Sequence, residues 1–110
     1  MAGKFARSMT AAEAAARLGQ GEAMQILDVR ELAEWEAGHI AGAISIPLGE
    51  LPRRHTELGI GLETLIVCRS GNRSGLACEI LESLGYEVIN LTGGLLAWRG
   101  DLVTGSSPSS

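Results

Sequence analysis

The stretch that most limits how this chain can fold is residues 64–74, TLIVCRSGNRS. An apolar run of strand length stops on a cysteine, crosses a loop with one glycine and two arginines, and opens into a helical pattern. Three more runs of strand length surround it: MQILDV from residue 24, ending near Asp28; AISIP over 43–47, stopped by Pro47; and YEVINL over 86–91. Helical segments fall between them. Thr10 is followed by AAEAAARL, with Glu13 at the capping-box position and the glycines of 19–21 supplying the turn. Residues 30–37 read as a short charged helix closed by Gly38, and LGELPRRH as a short helix broken near Pro52, with a loop through TELGIGLE. Over 74–84, Leu76, Ala77, Ile80, Leu81 and Leu84 share one helix face, away from Glu79, Glu82 and Ser83. Gly93-Gly94 turn into a last short helix, LLAWRG. Such alternation indicates parallel strands in an α/β sheet covered on both faces, where ligands bind beyond the carboxyl ends of the strands.

The chain has 110 residues, the size of one domain, and its 45% hydrophobic and 20% charged content is a globular balance. With aromatics at 4%, the core must be filled mostly by Ala, Leu, Ile and Val. One core domain is expected over 1–102, with a flexible polar tail over 103–110. A net charge of −4 argues against a generic nucleic-acid or anionic-membrane binder. No run approaches 18 apolar residues, and Lys4, Arg7, Glu13 and Arg17 interrupt any leader-like stretch, so no membrane association is expected. Two cysteines, Cys68 and Cys78, are too few for a disulfide framework. With His39 and His55 they number four ligand types, but no CxxC or HxxxH spacing joins them, so no metal or cofactor is expected. A cytoplasmic, reducing setting is the default.

The loop itself points to chemistry. The first N–H groups of a helix lack intrahelical partners, and the helix dipole places partial positive charge there. Gly71 lets the loop curl so that successive N–H groups converge as an anion-binding nest. Arg69 and Arg73 add two cations. A cysteine at this centre should have a lowered thiol pKa, and the thiolate is the nucleophile. The arrangement predicts an anionic substrate attacked by sulfur. A phosphate-binding P-loop does not fit, because GxxxxGK[ST] is absent and no lysine lies near.

These residues also carry a resemblance. Residues 68–74, CRSGNRS, are similar to the active-site loop of single-domain rhodaneses, sulfurtransferases of the thiosulfate:cyanide type. LDVRELAEWEAGHIAGAISIP over 27–47 resembles that family's D-V-R, aromatic, G-H-I, G-A and I-P signature, and GGLLAW its Gly-Gly-to-Trp segment. Ala41 stands where members often have Pro, and Ser45 where Asn is frequent. The resemblance implies a five-stranded, mostly parallel sheet flanked by helices on both faces. It implies Cys68 as the catalytic residue, with Arg69, Ser70, Gly71, Asn72 and Arg73 binding substrate. The Cys68 thiolate would take the outer sulfur of thiosulfate as a persulfide and pass it to cyanide or a thiol. Arg73 would hold the loop, and Arg69 would contact the donor's oxyanion. The basic loop resembles that of thiosulfate users more than the C-G-S-G-V-T loop of mercaptopyruvate users. Two alternatives remain: a sulfur-carrier or sensing module that receives sulfur from a partner protein, and a phosphatase. Related dual-specificity phosphatases use a wider C-x5-R loop, whereas Cys68 to Arg73 is C-x4-R.

Other polar residues read as structural. Asp28 and Arg30 are expected to pair or to hold loop N–H groups, and His39 to pack and hydrogen-bond. His55 is expected to be solvated. Cys78 reads as core or half-buried filler, too far along the helix to bridge Cys68 without strain. Trp35 and Trp98 read as large packing residues.

Overall fold

The computed structural model describes residues 7–105, and over that span the alternation seen in the sequence becomes five strands and four α-helices. In chain order these are β1 (Arg7–Met9), α1 (Ala11–Gly19), β2 (Gln25–Asp28), α2 (Leu32–Ala37), β3 (Ile44–Ser45), α3 (Leu51–Arg54), β4 (Glu63–Val67), α4 (Asn72–Ser83) and β5 (Glu87–Leu91). Short 3₁₀ turns flank α3 and close the segment Gly94–Ala97. The strands form one sheet in the order β1-β5-β4-β2-β3, and every neighbouring pair is parallel. An antiparallel contact outside the sheet joins His39 to Val103.

Strand periodicity sorts the core into two layers. Leu27, Ile66 and Val88 pack with Ala77 and Leu81 of α4 and Leu51 of α3. Their neighbours Ile26, Leu65, Val67 and Ile89 pack on the other face with Ala11 and Ala14 of α1 and Trp35 of α2. Adjacent residues of one strand thus enter opposite layers, as a sheet covered on both faces requires. The alternation continues past the end of β4: Cys68, two residues after Ile66, belongs to the layer under α4.

Several local features follow the sequence directly. At the start of α1, Glu13 N–H donates to Thr10 Oγ1 and Thr10 N–H to Glu13 Oε1, at 3.1 and 2.9 Å, which is the expected capping box. Others differ. β1 was not foreseen, because RSM is short, half polar and paired only with β5 at the sheet edge. Pro52 does not break a helix. It stands in the first turn of α3, where its missing N–H costs nothing. α4 buries Ser74, Ala77, Cys78 and Leu81, while Leu76 and Leu84 are 54% and 42% exposed. The inward stripe is therefore rotated from the one drawn through the leucines, and it carries a serine and a cysteine into the core. Residues 103–105, read as the start of the tail, are tied to the body. Val103 N–H and His39 N–H each donate to the other's carbonyl at 2.8 Å, and Gly105 N–H donates to Glu36 O. The rest of the tail, 106–110, lies outside the described residues.

Candidate active site

The site is built where β4 ends and α4 begins. Cys68 is the first residue beyond β4, and its parity turns the side chain beneath the helix N-terminus, where it is 1% exposed. The loop from Cys68 to Asn72 must reverse direction within four residues. Gly71 does this at φ +106°, a left-handed conformation that side chains disfavour. The turn aims Gly71 N–H at Cys68 Sγ, 2.9 Å away. Ser74, the third residue of α4, places its hydroxyl 3.3 Å from the same sulfur.

A second segment braces the loop from behind. Leu95 N–H donates to Cys68 O at 2.9 Å, and Leu96 N–H to Arg69 O at 3.1 Å. This close approach needs Gly94: at φ +59°, a Cβ there would lie 2.5 Å from the carbonyl oxygens of Cys68 and Arg69. The Gly93-Gly94 pair thus sets the height of the cysteine-bearing loop.

These contacts decide the state of the sulfur. Burial by itself pushes the Cys68 thiol up. The hydrogen bond with the Ser74 hydroxyl and those from the N–H groups of Ser74, Gly71 and Ser70 outweigh it, and the thiol lies below its ordinary value. Cys78 has no such cradle: burial pushes it up to about 12. Both cysteines are free thiols.

The two loop arginines are not equivalent. Arg73 donates from both terminal nitrogens to the Glu34 carboxylate, at 2.7 and 2.9 Å, so its charge is largely spent on holding α4 to α2. The Arg69 side chain is exposed and makes no hydrogen bond or ion pair among the described residues. It lines an open cavity of about 330 Å³ beside the loop, together with Arg30, Glu34, Leu95, Leu96 and Leu102. Ser70 is exposed, and Asn72, also exposed, opens α4.

The residues read as structural behave as such, with one exception. Asp28 accepts hydrogen bonds from Arg30 N–H and from its guanidinium, and Arg30 Nη2 also donates to Gly38 O. Arg30 nevertheless reaches the cavity wall, a position its place in the sequence did not reveal. His39 is buried, stacked on Trp35 at 3.5 Å between ring centroids, with Nδ1 2.8 Å from Trp35 O. Trp98 packs half-buried on the α1–α2 layer. The exception is His55. It is half-buried and partnered rather than free in solvent: the Tyr86 hydroxyl donates to its carbonyl, and its Nδ1 lies 3.0 Å from the same hydroxyl. Tyr86 is 31 residues away, so no local pattern could show the pairing.

The sequence reading passed over Ser74 as a site residue, and also Glu34 and the Gly93–Leu96 brace. The serine had a usable signal: it sits one turn after the cysteine loop, within hydroxyl reach of the helix mouth. Glu34 had none, being 39 residues from its partner Arg73.

The fold is an open parallel α/β sheet that sets a buried, hydrogen-bonded thiol at the mouth of a helix. Comparison with known proteins makes this specific. The model of the rhodanese-like domain matches residues 10–101, and the chain belongs to that family. The rhodanese-like domain protein of Staphylococcus aureus superposes with a TM-score of 0.84 at 34% identity, covering 91% of this chain and 99% of that one. A sulfurtransferase of Allochromatium vinosum is 40% identical over 83 residues, 74% of this chain and 78% of that protein. The putative sulfur carrier protein YrkF of Bacillus subtilis is 41% identical over 85 residues, but these are 76% of this chain and only 46% of YrkF. Family and fold agree with the sequence reading, and the relatives' names support sulfur transfer in general. Among the described residues, no helix is long and apolar enough to cross a membrane.

Proposed function

We propose that this domain is a thiosulfate sulfurtransferase working through a persulfide on Cys68. The observation that carries the reading is the convergence on Cys68 Sγ of the Gly71 N–H at 2.9 Å and the Ser74 hydroxyl at 3.3 Å. These groups favour an anionic sulfur, and the thiolate is the attacking species. The thiolate attacks the outer sulfur of thiosulfate, the S–S bond of the donor breaks with its electron pair going to the departing sulfite, and Cys68 keeps a terminal sulfur anion. Cyanide or a thiolate then attacks that terminal sulfur, and the electron pair of the persulfide bond returns to Cys68. No external base is needed once the thiol is ionised. The Arg69 side chain, which has no hydrogen-bond or ion-pair partner among the described residues, meets the donor's sulfonate oxygens at the cavity, which Arg30 also lines. Backbone N–H groups of Ser70 and Gly71 hold the persulfide. Asn72 contributes to the cradle by opening the helix.

The test is steady-state thiocyanate formation from thiosulfate and cyanide. Turnover that disappears in Cys68→Ser supports the reading. Turnover equal to the background of the uncatalysed mixture, with the native protein folded, removes it.

A second reading, a carrier that takes sulfur from a protein partner, is favoured by the rim of the cavity, where Leu96 and Leu102 are exposed beside Arg69. The name of YrkF points the same way. Fast loading from a persulfidated protein with negligible thiosulfate turnover would select it. The C-x4-R loop offers a phosphate less room than C-x5-R, and an aryl phosphate should remain unhydrolysed.

A further inference from the structure

Asn90 is a polar residue near the end of β5, in a strand whose neighbours Ile89 and Leu91 are core. Its carboxamide does not hold the sheet: Asn90 Oδ1 accepts from the Ser74 hydroxyl. Ser74 Oγ therefore has three neighbours, Cys68 Sγ at 3.3 Å, Gly71 O at 3.0 Å and Asn90. A serine hydroxyl has one proton to give. With Cys68 as a thiol, its S–H donates to Ser74 Oγ, and the hydroxyl proton serves Gly71 O or Asn90 Oδ1. With Cys68 as a thiolate, the hydroxyl proton must turn to sulfur. Asn90 Oδ1 would then face Ser74 Oγ acceptor to acceptor at hydrogen-bond distance, which is repulsive. Half a turn of the carboxamide removes the conflict by presenting Nδ2, a donor, to Ser74 Oγ. Among the described residues the Asn90 amide has no other hydrogen-bond partner that would resist this rotation.

We infer that Asn90 is a positioning residue for Cys68, acting through Ser74: by donating from Nδ2 to Ser74 Oγ it commits the serine's only proton to the ionised sulfur. Residue 90 then distinguishes the charged states of a sulfur it does not touch. The inference rests on Cys68 as the reacting atom, as in the proposed function, but not on the identity of the sulfur donor.

The other groups bearing charge or titrating around Cys68 are Arg69 on the loop, Arg73 of α4 in its pair with Glu34 of α2, and Cys78 of α4. Among the described residues none of them hydrogen-bonds to the Asn90 side chain, so a change at residue 90 can be read against a fixed background.

The test is the pH dependence of Cys68 alkylation by iodoacetamide in the full chain, for the native protein, Asn90→Leu, Ser74→Ala and the double variant. Asn90→Leu is neutral and close in size, so it removes the donor without adding charge. The expected result is a rise in the midpoint that slows alkylation at neutral pH by about 3- to 10-fold, on the scale of the net contribution of one neutral hydrogen bond. In the Ser74→Ala background, the same substitution should have less than half of that effect. Asn90→Ala, which is also neutral, is the second variant should Asn90→Leu fail to fold. It too removes the donor, so it should also raise the midpoint, and the Ser74→Ala background should again remove most of the shift. An unchanged midpoint in the variant that folds, or equal shifts with and without Ser74, would overturn the assignment. Alkylation needs no sulfur donor, so this failure is distinguishable from a failure of thiosulfate to load the protein.

Discussion

Glu34 accepts hydrogen bonds from both terminal nitrogens of Arg73, across 39 residues of sequence, and so ties the first turn of α4 to α2. Glu34 Oε1 also accepts Glu31 N–H at 3.0 Å, which fixes the carboxylate from its own helix. The loop that carries Cys68 is thereby held from the side by an ion pair and from behind by the Leu95 and Leu96 N–H groups. One loop arginine is structural, and the proposed function assigns the other to the substrate.

The Glu34 pair has a pH signature. The hydrogen bond from Arg73 is the largest influence on the Glu34 carboxyl, which is held down at about 2. A carboxylate lowered in the folded state stabilises fully above its unfolded value, about 4.3, and that contribution is lost as pH falls toward 2. Urea midpoints measured from pH 6 to pH 2 should therefore fall, and Glu34→Gln should flatten the slope between pH 4.5 and 2. An identical slope in the variant would mean that the pair does not stabilise the fold.

The arginines should separate in kinetics. Arg69→Ala should raise KM for thiosulfate by about 10-fold with a smaller effect on kcat, the loss expected for one charge-assisted contact to the donor. Arg73→Ala should lower the unfolding midpoint and kcat together, since it releases the loop from α2. Initial rates and urea melts on both variants decide this. The same pattern in both would contradict the division of labour.

The two cysteines should differ sharply in reactivity. Cys68 lies below its ordinary pKa and Cys78 is pushed up to about 12 by burial. One equivalent of iodoacetamide at neutral pH should label Cys68 and leave Cys78 intact, as peptide mapping would show. Labelling of Cys78 in the folded protein would count against both its burial and its lack of a cradle.

Gly94→Ala places a Cβ 2.5 Å from the carbonyl oxygens of Cys68 and Arg69. Backbone must move to admit it, at a cost of about 2 kcal/mol or more. Because the displaced backbone bears the nucleophile, turnover should fall further than stability does. Tyr86→Phe is the contrasting case: it removes the hydroxyl bonds to His55, on the order of 1–2 kcal/mol, far from the sulfur, and kcat should be unchanged. Thermal melts and rates on the two variants test the contrast.

What could be read in the sequence was local. The Thr10–Glu13 box, the apolar strands and the C-x4-R loop are patterns within a few residues, and each is found where it was expected. Parallel order and coverage of both faces followed from the alternation of strand and helix. What escaped depends on partners distant in the chain. The edge strand Arg7–Met9 has no apolar signature because it borrows its pairing from β5. The inward face of α4 could not be chosen from hydrophobicity, since the stripe contains Ser74, whose hydroxyl is directed at Cys68, Gly71 and Asn90. Glu34 and Tyr86 are unremarked residues until the fold brings Arg73 and His55 against them. The cavity beside Arg69 likewise arises only when Arg30 and Leu102 meet across the loop.

The central claim is that Cys68 receives a sulfur atom and holds it. Incubation with thiosulfate, removal of the donor and intact-mass analysis test this directly. The proposed function predicts a gain of about 32 Da, one persulfide sulfur, located on the Cys68 peptide, absent in Cys68→Ala and reversed by cyanide with one equivalent of thiocyanate released. A folded native protein whose mass is unchanged by thiosulfate, or whose added sulfur persists in Cys68→Ala, would contradict it.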